Sequence, residues 1–151
     1  MASTVADDLW NVYKNEWKDA RQSLSKEKHE EEVIYLLMRI VRGVYDECEK
    51  EAMKGGNVEK KQQQIAEDFI RHRLPLAIHK ENVDKPLTAF IRRCVQCLLR
   101  LCSLNPAPYI HWIPKGDMID KEKFDIEGDK SGAVCDWTVW PAVVLENGHT
   151  V

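Results

Sequence analysis

The chain is 151 residues long, 44% hydrophobic and 31% charged, a composition that suits one compact domain and excludes collagen-like, low-complexity and wholly disordered chains. Twenty-two Lys and Arg against 25 Asp and Glu leave a formal net charge of −3, which argues against a general polyanion binder. Met1 to Asp8 holds two acids and no apolar run, and nothing approaches the roughly 18 unbroken apolar residues of a transmembrane helix, so a cytosolic or nuclear protein is expected.

Four helices are predicted, over about 3–24, 26–53, 58–73 and 85–104. In the first, Val5, Leu9, Val12, Tyr13, Trp17, Ala20 and Leu24 recur at steps of three and four, the spacing of one buried face. Thr4 with Asp7 three residues on resembles a capping box. The acids Glu27, Glu30, Glu31 and Glu32 suit the start of the second helix, where they oppose the positive end of the dipole. Leu36, Leu37, Ile40, Val41, Val44 and Cys48 then share one side of that helix.

Gly55 and Gly56 end the second helix and Asn57 can cap the third. The third buries Ile65, Phe69 and Ile70 and is expected to stop before Pro75, because the residue preceding a proline is pushed out of the helical region. Asp84 is placed to cap the fourth, with Pro86 in its first turn and Asn105-Pro106 as its break. Beyond that, Tyr109 to Ile113 and Val134 to Leu145 are β-branched and aromatic. They read as short strands of a β-rich tail over about 109–146, with a charged loop between them. The fold class is therefore mainly α, a four-helix bundle-like single domain over 1–151 with a small β-rich C-terminal tail.

No catalytic constellation emerges. The five histidines form no ligand pair, and no phosphate-cradling glycine loop or nucleophile elbow occurs, so no enzyme, no cofactor and no metal is expected. Cys94-x-x-Cys97 with Cys102 has a spacing that zinc or thiol exchange can use. These thiols lie mid-helix among Phe90, Ile91, Val95, Leu98 and Leu101, however, where core packing is the simpler reading. Trp112, Trp137 and Trp140 suit either an interfacial belt or, more simply, a lid on the core.

Charge is unevenly spread. Residues 1–70 carry 11 bases and 15 acids, residues 71–100 carry 7 and 2, and residues 101–151 carry 4 and 8, which places one basic island between two acidic stretches. On the fourth helix Ala89, Arg92, Arg93, Gln96, Arg100 and Ser103 form a narrow polar stripe with no acid, and Arg71, Arg73, Lys80 and Lys85 precede it. Two readings stand side by side: pairing with acids of neighbouring helices, or an anion-binding face in which guanidinium groups hold phosphate or carboxylate.

The residues Phe90-Ile91-Arg92-Arg93-Cys94-Val95, the break at Asn105-Pro106 and above all Val139-Trp140-Pro141-Ala142-Val143-Val144-Leu145 resemble the C-terminal domain of the mitochondria-eating protein family. The resemblance covers roughly residues 80–146. It departs from the family pattern after Leu145, where Glu146-Asn147-Gly148-His149 stands in place of a Gly-rich, Lys-containing segment, and the coiled-coil regions of the family are not found within these 151 residues.

The resemblance implies a non-enzymatic module of mitochondrial quality control and mitophagy, cytoplasmic and recruited to the mitochondrial outer membrane, with cardiolipin as a lipid contact. The basic island fits this independently of the resemblance: Arg71, Arg73, Lys80, Lys85, Arg92, Arg93 and Arg100 are the candidates for peripheral contact with this anionic phospholipid or with an acidic protein. Self-association into a homo-oligomer stays open, and nucleic acid is not expected. The competing reading is a helical protein–protein interaction adaptor in signalling, unrelated to mitochondria.

Overall fold

A computed structural model describes residues 2–78, 85–112 and 139–145. Helix α1 spans residues 2–24, built from Ala2–Val12, a π-helical turn at Tyr13–Trp17 and Lys18–Leu24. Its predicted inner face is buried throughout, from Val5 to Leu24. The helix already begins at Ala2, so Thr4 and Asp7 lie on its exposed side within the first turns and form no capping box.

Helix α2 runs Glu30–Met53, starting later than the predicted residue 26. The backbone amides of Glu27 and Lys28 turn back to the Leu24 carbonyl, each at 3.2 Å, and so close the end of α1 instead of opening a new helix. His29 is extended at the cap, Glu30, Glu31 and Glu32 occupy the first turn, and Arg21 pairs with Glu30 across the junction. Val33, Leu36, Leu37, Ile40, Val41, Val44 and Cys48 are buried. Gly55 and Gly56 hold φ of 68° and 103°, left-handed values that favour glycine, and the Asn57 side chain caps the next helix by accepting from the Lys60 amide at 3.1 Å.

Helix α3 spans residues 58–78, as Val58–Asp68, a π-helical turn at Phe69–Arg73 and Leu74–Ile78. The predicted stop before Pro75 does not occur. In the π turn the Leu74 amide bonds back five residues to Phe69, widening the backbone just ahead of the proline. Pro75 then sits at the start of a fresh helical segment, where its missing N–H costs little, and the fully buried Leu74 anchors that segment to the core. Ile65 and Phe69 are buried and Ile70 is half-buried.

Helix α4, Lys85–Cys102, is central: it packs against α1, α2 and α3 and buries Leu87, Phe90, Ile91, Cys94, Val95, Cys97, Leu98, Leu99 and Leu101. The regular helix ends two residues before the predicted 104, although the Ser103 and Leu104 amides still bond back into its last turn. After a cis Asn105–Pro106 peptide, strand β1, Tyr109–His111, pairs antiparallel with β2, Ala142–Val144, with Ile110 opposite Val143.

The described part of the tail belongs to the core. Trp140 lies 5.5 Å from the Tyr13 ring and 6.4 Å from the Phe90 ring, centroid to centroid, and Pro141, Val143 and Val144 are buried. The molecule is thus mainly helical with a small two-stranded sheet. Lys80, the expected cap Asp84, Cys135, Trp137 and the predicted loop between the strands lie outside the described residues.

Candidate functional site

The apolar residues of α4 point inward, which leaves its polar residues in two rows. The outer row is Lys85, Ala89, Arg92 and Gln96, spaced by three and four and all exposed. The inner row is Arg93 and Arg100, half-buried against α1. Because α1 runs antiparallel to α4, two of its acids meet this inner row. Arg93 Nε donates to Glu16 Oε1 at 3.3 Å and Arg100 Nη1 donates to Asp8 Oδ2 at 2.9 Å, and each of the four side chains keeps only about a quarter to two-fifths of its surface. Arg93 Nη1 also donates to Gln96 Oε1 at 2.6 Å.

Glu16 is imperfectly served by this arrangement. Its Oε1 has a single long bond, while Oε2 is buried and finds no hydrogen-bond partner among the described residues. A buried acceptor left in that state costs about 1–3 kcal/mol.

Arg92 and Lys85 behave differently. Both side chains are exposed, neither has a hydrogen bond or ion pair among the described residues, and no acid follows them on the helix. Lys85 borders an open groove between the end of α1 and the start of α4 that is also lined by Asp19, Gln22, Ser23 and Lys26. Among the described residues the groove is lined by two cations, Lys26 and Lys85, against Asp19.

The upstream bases go elsewhere. Arg71 is exposed on α3. Arg73 clasps α2: its Nη1 donates to the Gly43 carbonyl and to Glu47 Oε1, both at 3.1 Å, and its guanidinium lies 5.2 Å from the Phe69 ring. Gly43 makes this contact feasible, since a Cβ there would stand 3.0 Å from Arg73 Nη2 and 3.1 Å from Phe69 Cε2. Lys85, Arg92, Arg93 and Arg100 therefore share α4, while Arg73 is engaged by α2. Sequence reading missed Asp8, Glu16 and Gly43. The signal for the first two was present: acids eight apart on α1 match arginines seven apart on an antiparallel helix.

Of the four described cysteines, Cys48, Cys94 and Cys97 are core residues and half-buried Cys102 packs against the core. Cys48 Sγ lies 3.9 Å from the Val95 carbonyl, and burial pushes the thiols of Cys48, Cys94 and Cys97 up. Burial, with Glu49 nearby, pushes Cys102 up to about 12. Such thiols stay protonated at neutral pH and make poor nucleophiles. Among the described residues no group of three or more His, Cys, Asp or Glu side chains is placed to hold a metal, and no helix is long and apolar enough to cross a membrane.

Compared with protein families, curated proteins and solved structures, the chain matches none.

Proposed function

We propose that the chain is a non-enzymatic binding module, a bundle-like domain that meets an anionic phospholipid surface through the outer row of α4. In this reading it is a cytoplasmic protein of mitochondrial quality control recruited to mitochondria, where cardiolipin supplies the phosphates. The observation that carries the reading is that Arg92 and Lys85 are exposed and, among the described residues, unpaired, on a helix face without acids. Arg92 offers a planar fork to a phosphodiester, Lys85 a point charge, and bases close to an anionic leaflet contribute about 1 kcal/mol each. The resemblance of residues 80–146 to the mitochondria-eating protein family supports the choice of membrane.

Flotation with phosphatidylcholine vesicles, with and without cardiolipin, tests it. The wild-type chain should float only with cardiolipin, less so as salt rises past about 0.15 M, where the Debye length shrinks to ~8 Å. Lys85→Gln with Arg92→Gln should weaken flotation about thirtyfold while leaving the helical signal intact. Equal flotation with neutral vesicles, or an unaffected double variant, removes the lipid reading and leaves an acidic protein as the partner to pursue.

A further inference from the structure

The inner row of α4 carries the same chemistry as the outer row but is occupied. Arg93 and Arg100 would add two guanidinium groups to the face that holds Lys85 and Arg92, yet Glu16 and Asp8 of α1 already sit on them. Each carboxylate accepts one charge-assisted hydrogen bond from its guanidinium, as a phosphate oxygen would. The hold is uneven. The Asp8 bond is 2.9 Å, whereas Glu16 accepts one bond of 3.3 Å and leaves its second oxygen buried without a partner among the described residues. Both pairs remain partly open to solvent, so a competing anion can approach them from the rim.

We infer that Asp8 and Glu16 form an internal lock on the basic face: they occupy Arg93 and Arg100 as stand-ins for phosphate, and restrain the affinity of α4 for an anionic lipid surface until they are displaced or neutralised. This inference rests on the lipid reading above. In the locked form the α1–α4 face offers Lys85 and Arg92; in the open form it offers Lys85, Arg92, Arg93 and Arg100. Removing the two carboxylate charges therefore differs from adding charge elsewhere on the chain, because it releases donors already aligned on the same helix.

The test is flotation of the full chain with phosphatidylcholine vesicles containing about one-fifth cardiolipin, comparing wild type with Asp8→Asn/Glu16→Gln and with Asp46→Asn/Glu49→Gln. The last variant makes the same change in net charge on an exposed part of α2. The lock predicts binding about tenfold tighter for Asp8→Asn/Glu16→Gln and less than about twofold for the α2 control. Equal gains in both variants would mean bulk charge alone and overturn the lock, as would no gain in a variant that keeps its helical signal. Should the double variant not fold, Asp8→Asn against Asp46→Asn decides the matter, with about threefold expected for the former and no change for the latter.

The two proposals fail separately. If wild-type binding depends on Lys85 and Arg92 but Asp8→Asn/Glu16→Gln binds no better, the lock is wrong and the lipid reading stands. If no variant floats with cardiolipin, the lipid reading falls and the lock falls with it.

Discussion

Helix α4 meets α2 and α1 by different physics. Towards the core it sets fully buried Ile91, Cys94, Val95 and Leu98, with Cys48 Sγ of α2 only 3.9 Å from the Val95 carbonyl. Towards the edge of α1 it adds two half-exposed ion pairs beside the apolar packing. The first contact is strong, non-directional and hard to adjust, because each methylene lost leaves a void in a close-packed interior. The second is directional and worth little net energy, since water already solvates such charges well. A domain that must keep its fold while its surface changes partners can alter the second kind of contact at low cost.

Substitutions sharpen this contrast in order of size. Leu98→Ala should cost about 2–5 kcal/mol of unfolding free energy in a denaturant titration, combining lost transfer energy with the cavity left behind. A loss below ~1 kcal/mol there would show that the α4 core repacks freely, and the comparison would lose its strong side. Gly43→Val should follow at about 1–3 kcal/mol, because the new side chain overlaps Phe69 and the Arg73 guanidinium, and the Arg73 bonds to Gly43 and Glu47 would be lost. Arg73→Gln at an otherwise intact Gly43 separates the lost bonds from the overlap in the same titration.

Arg100→Gln should change stability by no more than about 1 kcal/mol, the usual range for a half-exposed pair, even though its distance to Asp8 is short. A loss of several kcal/mol would instead make the α1–α4 seam a structural element on a par with the core.

A further contrast appears in alkali. The Cys102 thiol is raised in the fold from 9.0 to about 12 and the Tyr45 hydroxyl from 10.0 to about 12, both chiefly by burial. Each neutral acid is thus held protonated by the folded state. Their contribution is fully present below the unfolded pKa and is lost as pH rises from about 9 through about 12. The melting temperature should therefore fall across that window, and Cys102→Ser with Tyr45→Phe should flatten the fall. A melting temperature that does not change between neutral and alkaline pH would mean these groups are open to water.

The helices were legible in the sequence because burial of an amphipathic face dominates their energetics and leaves a period of three to four residues in the chain. Val5 to Leu24 and Val33 to Cys48 are read from that period alone and are buried as expected. The glycine pair Gly55-Gly56 and the Asn57 cap are equally local, each a consequence of one residue's backbone freedom or side-chain reach.

Where neighbours decide, the sequence by itself fell short. Pro75 is kept within α3 by a π turn and by the burial of Leu74, and neither follows from the residues flanking a proline. The basic island over 71–100 was visible as composition, yet its arginines divide among partners from 26 to 92 residues away: Arg73 on Glu47, Arg93 on Glu16, Arg100 on Asp8. Charge counts record how many cations a segment carries, whereas Coulomb attraction depends on distance, and only the antiparallel packing of α1 on α4 and the close approach of α3 to Gly43 set those distances.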